Sequence, residues 1–575
     1  MPRLLLALAC ALLILRAPSL AQPMGADQGL YSYVGERVLH GDLAYRDAWD
    51  QKPPGIHFVY AALRAVWRGD AAVPAADLAA AATGAWLLWR IGLTLVSPAA
   101  GAWSALLFLF LADPDFARLA GVRVRAQCET FIAMLVAGAV LSAVRAREED
   151  RRRLFGAGLL LGAVFALKYN AAIYAVVALA AIAVCRRIRW NDIVWMTLGG
   201  AVIPLALLAR FAAGGALNDL YQATIVYNVR YSGETYVSRW HVLRYLATFP
   251  IQHARVDALW FVGGLGCVVL LGLMLSNFRL TSLRQGYGGP PKRFAQRRKA
   301  EATAESEGKP DASNATTQRE FAASAFRRKS SAPMWLPIVW VAAACVSIAI
   351  NGSRGLPQYF LQAAPALALA AGVAGALTLP RLPRVWRVIV VALLAVAVWR
   401  VNDFTKFAAN LSYDARYMAR PADRRAYLAR YGGQRDVDKF AALATWDLGQ
   451  YLRARTAPSE TVLVFGFSPG AYVYADRRSA TRFFWSRPVI LDFNGPARGY
   501  GVDGLLEDLE ARRPAYIALQ LHDWAPDVQD SAAFFLSQPS LSAFLQSAYH
   551  RVPAVEGFDV WERNDRGAAP RSAAR

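Results

Sequence analysis

The chain has 575 residues, 56% of them hydrophobic, and 64 Lys and Arg against 42 Asp and Glu give it a formal net charge of +22. A chain so apolar is not an ordinary soluble protein; it reads as a polytopic membrane protein with room for one further domain. The positive charge does not imply a nucleic-acid partner, because the basic residues stand in short stretches beside apolar runs, where they orient a protein in a bilayer.

In chain order, the first apolar stretch, 4–21, is either a retained span or a secretory leader. Arg3, the apolar core and Ser19-Leu20-Ala21 before Gln22 fit a leader, whereas Arg16 interrupts the core. Either way Asp27 emerges on the outer side, at the start of a polar and aromatic first outer loop, 22–74. Further spans are expected at 75–96, 98–113, 129–145, 155–167, 169–185, 192–213, 255–277, 334–351, 356–378 and 385–401, about 11 in all, each near the length that crosses the hydrocarbon layer. Arg145, Arg147 and Arg151 to Arg153, then Arg186, Arg187 and Arg189, then Lys292 to Lys299, then Arg381, Arg384 and Arg387 mark the cytoplasmic side. Their alternation requires 155–185 to be a hairpin of two short helices with Lys168-Tyr169-Asn170 at its outer tip. Residues 27–55, 114–127, 214–254 and the C-terminal region then lie outside the cytoplasm.

Residues 279–332 are poor in large apolar residues and rich in charge, which predicts a disordered basic cytoplasmic loop. The sequon Asn314-Ala315-Thr316 within it reads as a chance match. The five cysteines, Cys10, Cys128, Cys185, Cys267 and Cys345, have no metal-ligand spacing and predict no disulfide framework. From 402 to 575 the pattern changes to strands at 461–466, 488–491 and 515–519 alternating with helical segments such as 505–512. This predicts a small extracytoplasmic α/β domain with a partly parallel sheet, and the absence of a glycine-rich phosphate motif gives no support for nucleotide binding. The expected fold class is therefore mainly α, a transmembrane helical bundle over 1–401 followed by this α/β domain.

The ionisable residues of the outer loops carry the chemistry. Asp27, followed by Tyr31 and Tyr33, is placed to act as a general base at the membrane edge, or else caps a helix. Lys52 precedes Pro53-Pro54-Gly55, a rigid corner that presents the ammonium at a fixed angle suited to a phosphate; a lysine snorkelling to the interface is the alternative. Arg118, Arg123 and Arg125 on an outer loop oppose the inside-positive bias, so an anionic partner explains them better than topology. Glu129 opens the next helix, where the dipole also favours an acid. Two carboxylates among several cations on one membrane face suit a phosphate-bearing substrate. Tyr227, Asn228, Arg230, Tyr231 and Glu234 either line an acceptor side or belong to a solvated loop.

The runs Asp27-Gln28-Gly29-Leu30-Tyr31, Tyr45-Arg46-Asp47 and Trp49-Asp50-Gln51-Lys52-Pro53-Pro54-Gly55 resemble the first outer loop of the bacterial protein O-mannosyltransferase and aminoarabinose transferase superfamily (glycosyltransferase family 39-like). These are integral-membrane glycosyltransferases of the GT-C fold. Glu129-Thr130, Leu167-Lys168-Tyr169-Asn170, Tyr227-Asn228-Val229-Arg230-Tyr231 and the run from Pro357 through Tyr359 to Pro365 extend the likeness over roughly residues 5–400. The resemblance implies inverting transfer of a sugar from a polyprenyl-phosphate carrier to an envelope acceptor, a glycolipid, glycan or protein, on the periplasmic face of a bacterial inner membrane. It implies Asp27 as catalytic base or as the group that orients the acceptor, with Glu129 assisting, Lys52, Lys168, Arg123 and Arg125 around the carrier phosphate, and Tyr31, Arg46, Asp50 and Tyr359 in contact with substrate. Gln28 stands where many members carry a second acid beside Asp27, which argues against a divalent metal held by adjacent carboxylates, so no cofactor is expected. A transporter or flippase would instead place ionisable residues inside the spans and repeat its halves. A non-catalytic envelope assembly protein would bind a partner through its C-terminal domain.

Overall fold

A computed structural model describes residues 2–116, 121–286, 332–421, 423–432, 441–495, 497–523, 530–553 and 555–568. Helix α1 (Pro2–Arg16) runs into a 3₁₀ turn at Ala17–Ala21, and α2 (Ala26–Leu39) leaves at a bend of 77°. Pro18 and Pro23 lie in that break, where a missing N–H and a fixed φ end the first helix. Then follow α3 (Gly55–Val66), α4 (Ala72–Leu95), α5 (Pro98–Leu111), α6 (Cys128–Arg145), α7 (Arg151–Leu167), α8 (Tyr174–Cys185) and α9 (Trp190–Ala213). Six described helices are long and apolar enough to cross a membrane, or up to eight if each of two bent pairs is one span, and 55–66, 98–111 and 169–185 are shorter apolar helices. The hairpin expected at 155–185 is present as α7 and α8 joined by a 3₁₀ turn at Tyr169–Ile173.

The region 214–254 is helical rather than a loop: α10 (Leu217–Tyr221), a π-turn at Gln222–Val226, α11 (Tyr227–Gly233) and α12 (Arg239–Ala254). Helix α13 (Ala258–Gly286) continues through 279–286, which corrects the start of the expected disordered loop; the rest of that loop up to 331, with the Asn314 sequon, lies outside the described residues. The bundle closes with α14 (Ala332–Ile350), α15 (Pro357–Phe360), α16 (Ala364–Thr378), α17 (Arg384–Val401) and α18 (Phe404–Ala419). Leu198, Val202 and Leu205 on α9, Val268, Leu271 and Leu275 on α13, and Val385, Val388 and Val396 on α17 are exposed. Apolar faces of this extent on long helices belong against lipid rather than water.

A buried polar network fastens the first helix to the rest. Arg16 pairs with Asp77 at 3.2 Å, and Arg125 pairs with Asp115 at 2.7 Å and with Asp77 at 3.5 Å. Gln22 donates to Asp115 at 2.8 Å and to Asp414 at 2.6 Å, so α18 is tied to the same network.

The C-terminal part contains α19 (Arg424–Leu428), α20 (Ala442–Arg455), β1 (Thr461–Phe465), α21 (Gly470–Ala475), β2 (Arg478–Ser479), α22 (Arg487–Leu491), α23 (Gly501–Arg512), β3 (Tyr516–Gln520), α24 (Ser531–Ser537), α25 (Pro539–Ala548), β4 (Tyr549–Arg551) and β5 (Phe558–Arg563). The strand order is β2-β1-β3-β5-β4; β1 runs parallel to β2 and β3, and β5 runs antiparallel to β3 and β4. The expected partly parallel sheet is present, but the strand expected at 488–491 is helix α22. Pro488 occupies its first turn, where a missing N–H costs nothing, whereas in a strand it would remove a ladder bond.

Two glycines set how these parts meet. A Cβ on Gly55 would lie 2.7 Å from the Ala166 backbone, so the Lys52-Pro53-Pro54-Gly55 corner can press against the end of α7, next to Lys168. A Cβ on Gly29 would lie 2.7 Å from the Gly470 nitrogen, so α2 meets α21 of the α/β domain backbone to backbone.

Candidate active site

Between the bundle and the α/β domain lies a cavity of about 400 Å³. Helix α2 contributes Asp27 and Tyr31, the segment before α3 contributes Asp50 and Lys52, and Arg123 enters from the loop before α6. Tyr227 and Tyr231 come from α11, Arg354 and Tyr359 from the segment between α14 and α16, and Phe467, Trp485 and Arg487 from the α/β domain. A second chamber of about 300 Å³ shares Gln51, Lys52, Tyr231 and Tyr359 with the first and adds Lys168, Asn170 and Asn228.

Local structure explains each placement. Asp27 stands in the first turn of α2, whose N-cap is Gly25, so the capping alternative does not hold. Its Oδ2 accepts from Gln127 Nε2 at 3.2 Å, and Gln127 Oε1 accepts from the Tyr31 hydroxyl at 3.2 Å. Gln28 does not face the cavity chemistry as an acid would: its Nε2 donates to the carbonyls of Val122 and Arg125 at 2.6 and 2.7 Å, tethering the loop that carries Arg123. The Lys52 backbone is fixed by the Tyr45 hydroxyl on its carbonyl at 2.8 Å and by Asn228 on the Gln51 carbonyl at 2.6 Å. The Lys52 ammonium has no carboxylate within 4.0 Å and no hydrogen bond among the described residues. Lys168 by contrast pairs with Glu129 at 2.5 Å and sits 4.4 Å over the Tyr359 ring.

Electrostatics couple these groups. Burial raises the Asp27 carboxyl above its ordinary range against the pull of Lys52. Burial opposes the charge on Lys52, and the Tyr359 hydroxyl with the Asp27 and Asp50 carboxylates more than restores it, so the ammonium is held protonated. Burial pushes Asp50 up to about 7 and, with Lys52, pushes His57 down to about 3.

The structure thus brings together Asp27, Tyr31, Asp50, Lys52, Arg123 and Tyr359 in the first chamber, and Lys52, Lys168 and Tyr359 in the second, with Glu129 behind Lys168. It corrects two expectations. Arg125 is 2% exposed and spent on Asp115 and Asp77, so it is a structural cation rather than a ligand of a substrate phosphate. Arg46 points outward, bonded to Asp47 and to the Gly214 carbonyl, and lines neither chamber. Sequence reasoning missed Arg354, Phe467, Trp485 and Arg487. Arg354 lies three residues before Pro357 and was open to discovery there; the other three carry no local signal of their own.

Residues 51–212 match the family described as dolichyl-phosphate-mannose-protein mannosyltransferase. Among solved structures, ArnT from Cupriavidus metallidurans bound to undecaprenyl phosphate shares 15% identity over 99% of this chain and 99% of its own, with a TM-score of 0.54. The same protein in its apo state gives 14% identity over 98% and 99%, also with a TM-score of 0.54. The archaeal oligosaccharyltransferase AglB from Archaeoglobus fulgidus gives 12% identity over 99% of this chain and 75% of its own, with a TM-score of 0.47. No curated protein sequence matches the chain. The chain is thus a polytopic membrane protein whose fold is similar to that of ArnT, with a segment at 51–212 that matches the mannosyltransferase family model.

Proposed function

We propose that the protein transfers a sugar from a polyprenyl-phosphate carrier to an envelope acceptor on the periplasmic face of the bacterial inner membrane. The single observation that carries this reading is the Lys52 ammonium, held charged beside Asp27 and Asp50 and without a carboxylate of its own at the junction of two chambers. A half-buried cation left in that state calls for an anionic ligand, and a phosphate leaving a sugar is stabilised by a fixed positive charge at the site.

In this reading Asp27 takes the proton of the acceptor hydroxyl, whose oxygen attacks the anomeric carbon opposite the phosphate. One displacement inverts the configuration. Lys52 bears the charge that develops on the carrier, with Arg123 and Tyr359 beside it and Lys168, oriented by Glu129, on the side of the second chamber. The α/β domain stands on the periplasmic side and completes the acceptor side through Phe467, Trp485 and Arg487. The 15% identical ArnT, whose structure holds undecaprenyl phosphate, supports the carrier class.

Membranes supplied with a radiolabelled polyprenyl-phosphate sugar test the reading. Asp27→Asn is expected to lose about 10²- to 10⁴-fold in transfer, the usual contribution of a positioned base, and undiminished transfer would remove Asp27 from the mechanism.

A further inference from the structure

Asp50 and His57 form a buried titratable couple in the cavity wall that the mechanism above does not use. Their side chains are 1% and 0% exposed, and His57 Nε2 lies 3.3 Å from Asp50 Oδ2. The Asp50 carboxyl accepts from the backbone N–H groups of Gln51 and Lys52, while its Oδ2 and both ring nitrogens of His57 make no well-aligned hydrogen bond among the described residues. Unbonded polar atoms so deeply buried are costly unless they exchange a proton or meet a ligand. The His57 ring is fixed edge-on against Tyr31 at 6.2 Å and Tyr45 at 6.0 Å, so it cannot swing to another partner.

Asp50 also faces the cavity two residues from Lys52. The other charged or titratable groups around it are Asp27 and Tyr31 from α2, Tyr45 from the segment before α3 and, further off, Tyr227 from α11 and Cys128 from α6. Burial keeps His57 uncharged at neutral pH and leaves Asp50 divided between its acid and carboxylate forms.

We propose that Asp50 is the general acid that protonates the departing carrier phosphate, and that His57, packed 3.3 Å behind its carboxyl, is the positioning residue that limits where that carboxyl can turn. The proposal rests on the glycosyl-transfer reading. As the bond between the anomeric carbon and the phosphate oxygen breaks, its electron pair stays on that oxygen, and the Asp50 proton passes to the phosphate. The acceptor O–H proton passes to Asp27 as the new glycosidic bond forms, and then returns to Asp50 through the cavity. Acceptor alcohol and carrier phosphodiester monoanion become glycoside and carrier phosphate monoanion, so atoms and charge balance. The carrier therefore leaves with one negative charge, which the Lys52 ammonium faces.

Infrared spectra of the purified full-length protein in nanodiscs, with undecaprenyl phosphate as the probe ligand, follow the protonated carboxyl directly. The carboxylic C=O band of Asp50 is expected to disappear as pH rises through about 7, to be absent in Asp50→Asn, and to move its midpoint in His57→Phe. Transfer by the wild type should fall over the same interval because the acid form is required, and Asp50→Asn should be slowed about 10²-fold and lose that alkaline fall. A band that survives in Asp50→Asn, or an unchanged alkaline fall in that variant, overturns the role of Asp50. A midpoint unmoved in His57→Phe overturns the role of His57. A wild type that neither binds undecaprenyl phosphate nor transfers sugar defeats the glycosyl-transfer reading itself, whatever the band does.

Discussion

At the scale of single residues, the two lysines of the site differ in what surrounds them. Lys52 has no carboxylate partner among the described residues, whereas Lys168 is bonded to Glu129 at 2.5 Å with both side chains buried. Removing the charge at Lys52 should therefore act mainly on chemistry. Lys52→Met is expected to slow transfer by about 10²- to 10³-fold, the usual cost of losing one group that stabilises developing charge, with little change in the melting temperature. Lys168→Met should act first on stability, because it leaves Glu129 buried and unpaired at a cost of about 3–5 kcal/mol. Adding Glu129→Gln should return most of that loss, as followed by thermal unfolding in detergent. A single variant as stable as wild type would mean that the pair does not hold the fold. His57 illustrates what local pattern conceals: within Gly55-Ile56-His57-Phe58-Val59-Tyr60 it reads as a core position, and only the fold brings it to Asp50.

Among elements, α2 decides how the site is assembled, since it carries Asp27 and touches the α/β domain at Gly29. Gly29→Val would force side-chain atoms into the Gly470 backbone, and overpacking of this kind costs about 1–3 kcal/mol. A lower melting temperature with weakened transfer is expected, and an unaffected protein would contradict the backbone contact. The Arg125 network ties α1, α4 and α18, so Arg125→Ala should destabilise by about 3–5 kcal/mol through the uncompensated Asp115 and Asp77. Periodicity made the long apolar helices legible, and the basic loops between them gave the α7–α8 hairpin. It could not separate a strand from a short helix at 488–491, where both are brief apolar runs and Pro488 alone argues for the helix.

For the whole molecule, the site is shared between two parts of the chain, and this is why only half of it could be read in advance. Asp27, Lys52, Arg123 and Tyr359 lie in segments between apolar runs whose charge is unusual for a membrane protein. Phe467, Trp485 and Arg487 lie in a domain where aromatic and basic residues are ordinary. The indole of Trp485 donates to the Trp49 carbonyl at 3.2 Å, and the Ser479 N–H donates to the Tyr33 hydroxyl at 2.8 Å, so the domain is fastened to α2 and the segment after it rather than tethered beside them. If that side is periplasmic, His522→Cys, at a position with an 81% exposed side chain, should react with a membrane-impermeant maleimide added from the periplasm; protection there with labelling only after lysis would invert the proposed orientation. The central claim is that Lys52 marks the carrier phosphate, and a structure of the protein with undecaprenyl phosphate bound tests it most directly. The phosphate is expected within hydrogen-bonding distance of the Lys52 ammonium, at the junction of the two chambers; a phosphate bound elsewhere, with Lys52 still unoccupied, would contradict it.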